Sequence, residues 1–242
     1  MRKGTFVLVP GAWHGRWCWE RVAPVLEQAN FRVLTPELTG MGEDRARAAT
    51  GSVDRWGKEV AELCREQSEP VTLVGHSRGG LVISAAAELA PENIRTLVYV
   101  TAFLLPTGMS IIDANTRSSI PVATGSIAPQ EDGTCTLVEE AVKPSLYNMA
   151  PPEWVARAKE MLGPEPMSSF VARNTLTNER FGLVPRAYVE CTLDQAIPHH
   201  MQRGMQADYF CNPVITLEAD HSPFFSKPDS LAEALLSIAS MT

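Results

Sequence analysis

The chain has 242 residues, 45% hydrophobic and 20% charged, which is ordinary globular usage and excludes collagen-like, low-complexity and mostly disordered states. Twenty-one Lys and Arg against 28 Asp and Glu leave a formal charge of -7. No basic run is long enough to neutralise a phosphate backbone, so nucleic acid is excluded as an expected partner.

The length admits one large domain, or one domain carrying an insertion. The longest apolar stretches, around residues 5–9, 81–87 and 96–105, fall well short of the roughly 20 residues that cross a bilayer, so no membrane association is expected. Met1-Arg2-Lys3 imitates the charged start of a signal peptide, but the apolar run after it ends at Pro10-Gly11, and an intracellular, cytoplasmic location is expected. Cys18, Cys64, Cys135, Cys191 and Cys211 are odd in number and form no C-x-x-C pair. They predict neither a disulfide framework nor a metal site, and read as buried free thiols.

Taken in chain order, Thr5–Val9 reads as a strand, Trp17–Gln28 as a helix, Arg32–Thr35 as a strand and Val53–Gln67 as a helix with Asp54 in its first turn. Val71–Val74 reads as a buried strand, followed by the turn Gly75–Gly79 and an Ala-rich helix from Gly80 to Leu89 that Pro91 stops. Thr96–Thr101 is the next strand. Residues 103–184 then lose strand alternation and collect Pro121, Pro129, Pro144, Pro151, Pro152, Pro164 and Pro166 around short helical pieces such as Pro152–Met161. This segment reads as an inserted helical cap. Strands resume at Arg186–Cys191 and Pro213–Leu217, separated by a helix near His199–Gln206, and an amphipathic helix from Pro228 to Ala239 closes the chain. Alternating β and α units predict an α/β class with a mainly parallel six-stranded sheet flanked by helices, residues 1–102 and 185–242 forming its core.

The chemistry concentrates at Val71-Thr72-Leu73-Val74 followed by Gly75-His76-Ser77-Arg78-Gly79, a strand feeding a G-x-S-x-G turn that opens into a helix. A serine on so sharp a turn needs glycine two residues to either side, and the helix N-terminus lets the Arg78 amide meet negative charge on a substrate oxygen. A serine hydroxyl is a weak nucleophile until a base takes its proton. His221, in Glu218-Ala219-Asp220-His221-Ser222 after the last strand, is the favoured base, and Asp194, in Cys191-Thr192-Leu193-Asp194, is placed to fix its tautomer. Asp113 and Asp208 are weaker alternatives for the acid. His76 is expected to pack or hydrogen-bond beside the nucleophile, His199 and His200 to be exposed, and Asp220 to face outward or pin its loop. The turn Val9-Pro10-Gly11-Ala12-Trp13-His14-Gly15 offers the Ala12 amide as a second oxyanion donor. Trp13, His14, Phe103, Met149, Trp154 and Phe224 are candidate pocket walls, with Trp17, Met109 and Phe170 as further possibilities.

With these motifs in view, the chain resembles the α/β-hydrolase superfamily over nearly its whole length. It is most similar to the group of plant methyl-ester esterases, hydroxynitrile lyases and bacterial pyrethroid-hydrolase-like esterases. The G-A-W-H-G-x-W-x-W run at Gly11–Trp19 and the C-T-x-D-x-x-I-P run at Cys191–Pro198 carry that finer resemblance. It implies Ser77, Asp194 and His221 as a catalytic triad and Ala12 and Arg78 as oxyanion donors. Lyases of the group carry threonine where Ala12 stands and lysine where Ser222 stands. Arg78 replaces an apolar residue common among the plant members.

The expected function is therefore a cofactor-free serine carboxylesterase acting on a small hydrophobic ester, with a pyrethroid-like or methyl ester as the family-level substrate and a homodimer as the possible assembly. A hydroxynitrile lyase-like C–C lyase, a lactone or amide hydrolase, and a non-catalytic ligand-binding receptor on the same fold stand as alternatives.

Overall fold

The structure, a computed structural model, describes residues 2–117 and 126–241. Pro121, counted above among the prolines of the inserted segment, lies outside the described residues.

Six strands form one wholly parallel sheet: β1 (Thr5–Val9), β2 (Arg32–Leu34), β3 (Val71–His76), β4 (Ile94–Val100), and, after an excursion, two more at Arg186–Cys191 and Val214–Leu217. The helices between them are α1 (Ala23–Gln28), α2 (Val53–Arg65) and α3 (Gly79–Leu89). The excursion holds α4 (Ile111–Arg117), β5 (Ile127–Pro129), β6 (Thr134–Leu137), α5 (Glu139–Leu146), α6 (Pro152–Met161), β7 (Glu165–Pro166) and α7 (Ser168–Val171). The two resumed strands are thus β8 and β9, accompanied by α8 (His199–Asp208), α9 (Pro223–Ser226) and α10 (Pro228–Met241).

Strand order is β2-β1-β3-β4-β8-β9. The chain leaves β1 in one direction to reach β2 and crosses back to β3 on the other side, so a crevice opens at the carboxyl ends of β1 and β3, where ligands bind in such sheets. Helices cover both faces, and strand side chains divide between them with a period of two. Val7, Val9, Leu73, Leu97 and Tyr99 pack with Trp56, Val60, Val82 and Ala86 of α2 and α3. Phe6, Leu8, Val74, Val98 and Val100 pack instead with Leu26, Leu231, Leu235 and Ile238 of α1 and α10.

Two expectations need correction. The helix expected over Trp17–Gln28 is broken into a 3-10 turn at Arg16–Trp19 and α1, because Pro24 lacks an N–H and is accommodated only in a helix's first turn. The excursion also contains strands: β5, β6 and β7 form a small antiparallel sheet in that order. Its strands are only 3, 4 and 2 residues long, too short for alternation to register, and Pro129 and Pro166 sit on its two edge strands, where a missing N–H is tolerated.

Two histidines are sealed in the core beside β1 and β3. His14 and His76 are 1% and 0% exposed, with the edge of the Phe224 ring against both. Burial drives His14 down to about 3, and the neighbouring His221 and Arg78 add to the drop while the hydrogen bond to Ala12 opposes it. Burial likewise holds His76 well below its ordinary value, reinforced by His221 and His14. Both imidazoles are therefore neutral when folded, whereas an unfolded histidine takes up a proton near about pH 6.5. The unfolded state binds more protons below that point, so stability falls as the pH drops through about 6.5 and, for His14, keeps falling toward about 3, by up to about 1.4 kcal/mol per pH unit for each group that stays neutral. Urea midpoints measured between pH 7.5 and 4.5 should show this slope, and His14→Asn, which retains a donor for the Ala12 carbonyl, should make it shallower by about one histidine's share.

Candidate active site

The turn after β3 places Ser77 at φ 52°, a left-handed conformation that a non-glycine residue holds only where its surroundings impose it. They do so tightly. A Cβ on Gly75 would stand 2.8 Å from the Gly79 carbonyl oxygen, and one on Gly79 would stand 2.8 Å from the Pro10 carbonyl oxygen. The Ser77 amide donates to the Val100 carbonyl at 3.3 Å, and the Ser77 carbonyl accepts from the amides of Gly80 and Phe103, each at 3.0 Å. The serine is thereby locked to the end of β4 as well as to its own helix.

Loops from β8 and β9 bring the other two side chains to it. The Ser77 hydroxyl donates to His221 Nε2 at 3.0 Å, and His221 Nδ1–H donates to Asp194 Oδ2 at 2.8 Å. The carboxylate thus selects the tautomer whose free nitrogen faces the serine. Asp194 is held in turn: its Oδ1 accepts from the amides of Ala196 and Ile197 at 2.7 and 2.8 Å, and its Oδ2 accepts from the Thr101 hydroxyl. Gln202 of α8 ties the same loop, donating to Cys191 O and Ile197 O at 3.0 and 2.7 Å and accepting from Cys191 N at 3.0 Å. His221 is fixed from below, where His76 Nε2–H donates to its backbone carbonyl at 2.7 Å.

The loop after β1 closes the other side. A Cβ on Gly11 would stand 2.7 Å from His76 Nδ1 and 2.9 Å from Ser77 Cβ, so only glycine lets this backbone approach the turn. Among the described residues, neither the Ala12 nor the Arg78 amide donates to a protein acceptor. Two unengaged N–H groups therefore flank the serine, as charge stabilisation at a substrate carbonyl requires. His14 Nδ1–H donates to the Ala12 carbonyl at 2.7 Å, and the Tyr147 hydroxyl donates to His14 Nε2 at 2.6 Å.

The remaining candidates are placed as follows. Phe103 is bonded to Ser77 through its amide. Trp13 borders a groove of about 320 Å³ shared with Leu137, Val142, Leu162 and Gly163 of the excursion; neither Ser77 nor His221 lines it. The ring of Phe224 is wholly buried beneath His14 and His76. Trp154 stacks on Phe225 at 5.0 Å and takes the Arg21 guanidinium at 4.9 Å, contacts that occupy its ring without a ligand. Met149 contributes its amide to Asp220 Oδ2 at 2.8 Å. Asp220 also accepts from the Ser222 amide and the Ser226 hydroxyl, which makes it the anchor of the His221 loop. Asp113 pairs with Arg173 and Ser110 at α4, and Asp208 ends α8; neither contacts His221. His199, expected to be exposed, is half-buried instead, its Nε2 3.1 Å from the buried Glu190. Sequence reasoning missed Thr101, Tyr147, Glu165 and Gln202, of which only Thr101 had a readable signal, its place at the carboxyl end of a strand.

Comparison with known proteins agrees with this architecture. The chain is 33% identical to methylesterase 1 of Arabidopsis thaliana over 98% of its own length and 97% of that protein's. It is 32% identical to the alpha-hydroxynitrile lyase of the same plant, over 98% of each. A pyrethroid hydrolase from Sphingobium faniae superposes with a TM-score of 0.87 at 27% identity, covering 98% of this chain and 97% of that one. Residues 6–234 match the alpha/beta hydrolase family model, and the chain belongs to that family.

Proposed function

We propose that the chain is a serine carboxylesterase that hydrolyses small hydrophobic carboxylic esters, with Ser77 as nucleophile, His221 as general base and acid, Asp194 as its orienting carboxylate, and the Ala12 and Arg78 amides as oxyanion donors. The observation that carries this reading is the unbroken hydrogen-bond relay from Ser77 Oγ through His221 to Asp194, at 3.0 and 2.8 Å, beside two unengaged amides. Kinship with methylesterases at 33% identity over 98% of the chain supports an ester as the substrate.

In the first half-reaction His221 Nε2 takes the hydroxyl proton as Ser77 Oγ bonds to the ester carbonyl carbon, and the carbonyl oxygen becomes an anion held by the two amides. The imidazolium, stabilised by Asp194, then returns that proton to the alkoxy oxygen. The alcohol departs and Ser77 carries the acyl group. Water repeats the sequence through the same base and releases the acid.

A methyl ester fits the 33% relative and a bulkier pyrethroid-like ester fits the structural neighbour. Residues 103–184 would act as the cap that covers the substrate. Ester hydrolysis is favoured over C–C lysis because position 12 is alanine and position 222 is a buried serine, so the site has neither the threonine nor the lysine of the resembling lyases. Five buried free thiols support a reducing, cytoplasmic setting.

Two substitutions test the reading on a panel of p-nitrophenyl and methyl esters. Ser77→Ala is expected to abolish both turnover and labelling by a fluorophosphonate; retained cleavage excludes Ser77 as nucleophile. Asp194→Asn, which leaves His221 in the wrong tautomer, is expected to lower kcat by about 10⁴ with binding of substrate largely retained.

A further inference from the structure

Arg78 does more than extend the motif around the nucleophile. Its side chain and that of Glu165, from β7 in the excursion, form an ion pair only 1% and 0% exposed, with Nε to Oε1 at 3.0 Å and Nη2 to Oε2 at 3.4 Å. Burying two charges this deeply sacrifices the hydration of both, and well-packed apolar residues of similar volume often hold a fold equally well or better. Arg78 Nη1 is in addition buried with no hydrogen-bond partner among the described residues, a cost that invites a functional explanation.

The pair's other contacts converge on one loop. Arg78 Nη2 donates to the Gly11 carbonyl at 3.1 Å, and Glu165 Oε2 accepts from the Trp13 amide at 3.2 Å. The Gly11 carbonyl and the Ala12 N–H belong to one planar peptide group, so fixing the former aims the latter. The next peptide group is held at both ends, its carbonyl by His14 and its N–H by Glu165. The excursion adds the Gly163 amide, which donates to the Trp13 carbonyl at 2.9 Å, and Trp13 sits at a left-handed φ of 64° that these contacts impose. The guanidinium lies 4.1 Å over the Trp56 ring, which leaves it little room to shift.

We infer that the Arg78–Glu165 ion pair positions the oxyanion site: it clamps the Gly11–Trp13 loop so that the Ala12 amide points at the developing anion, and the guanidinium polarises the Gly11–Ala12 peptide group to make that amide a stronger donor. The inference rests on the esterase reading above. Both residues act through the peptide group and are positioning residues. Their contribution grows as charge develops on the carbonyl oxygen, so it belongs in kcat and in the affinity for oxyanion mimics, and little of it in KM.

The test uses the full chain, with p-nitrophenyl acetate for kcat and KM, a trifluoromethyl ketone as oxyanion mimic, and thermal unfolding as the control for fold. The double variant Arg78→Met/Glu165→Leu is expected to unfold within a few degrees of the parent while kcat and ketone affinity both fall by about 10², the scale of losing one oxyanion donor, and KM moves little. Glu165→Gln, nearly isosteric, covers the case in which the double variant does not fold; it is expected to lose about tenfold in kcat with KM and unfolding temperature held, being a partial loss on the same scale. Arg78→Lys, which keeps the charge but not the fork, is expected to fall between parent and double variant. A folded double variant, or Glu165→Gln, with parental kcat overturns the clamp, as does a kcat loss without a matching loss of ketone affinity. If the parent does not cleave the ester, or Ser77→Ala still does, the esterase reading itself fails and the clamp with it; parental cleavage combined with full activity in the variants removes the clamp alone.

Discussion

The left-handed backbone at Ser77 is the constraint from which the surrounding geometry follows. A chain that must end a buried strand and begin α3 within three residues has to reverse sharply, and it does so by holding Ser77 at φ 52°. That conformation sets the Gly79 carbonyl against residue 75 and lays residue 79 against the Pro10 carbonyl, so both must be glycine. The same crowding extends outward to Gly11, whose missing side chain lets the loop after β1 settle against His76 and Ser77. β1 and β3 are paired as far as Val9 with Gly75, so the two loops that carry the unengaged amides leave the sheet at the same level. The placement of Ser77 and of the two unengaged amides thus follows from one parallel pairing and one strained residue.

Around that centre the loops are not left to their own preferences. Each is secured by a buried polar side chain: Asp220 ties the His221 loop to Met149, Gln202 ties the Asp194 loop to α8, and His14 with Tyr147 ties the Ala12 loop to the excursion. Hydrogen bonds of this kind contribute modestly to net stability, yet breaking one leaves a buried polar group unsatisfied and is far more costly. The excursion accordingly takes part in shaping the site, through Tyr147, Gly163 and Glu165, as well as standing beside it.

Legibility in the sequence divides along the same line between local and long-range effects. β1 and β8 could be read with their ends correct, Thr5–Val9 and Arg186–Cys191, because Pro10-Gly11 ends the first and Pro185 precedes the second. The turn at Gly75–Gly79 announces itself because its steric demands are met by neighbours in sequence. Ser77, Asp194 and His221 could be named together because each follows a strand of one parallel sheet, and parallel strands deliver their following loops to one edge. Partners chosen by tertiary packing leave no such trace. Glu165 stands between two prolines and reads as a solvated loop charge, yet it meets Arg78 across 87 positions. Tyr147 reaches His14 across 133. The small sheet of the excursion escaped for another reason, since strands of two to four residues are shorter than the pattern used to recognise them.

The electrostatics of the site follow from which groups are allowed to carry charge. Three imidazoles crowd together here, with the rings of His76 and His221 at 4.8 Å and those of His14 and His76 at 5.7 Å. Were all three to accept protons, their mutual repulsion would oppose the one protonation that ester cleavage requires. Burial keeps His14 and His76 neutral and holds each against a backbone carbonyl, which leaves His221, paired with Asp194, as the imidazole that faces the Ser77 hydroxyl. The Arg78 guanidinium would add to that crowding of charge if it stood alone, since it already opposes protonation of the buried His14 and His76. Glu165 cancels that charge at long range while leaving its near field directed at the Gly11–Ala12 peptide group. A full positive charge can thereby sit against the Gly11–Ala12 peptide group, provided that its counterion is buried with it.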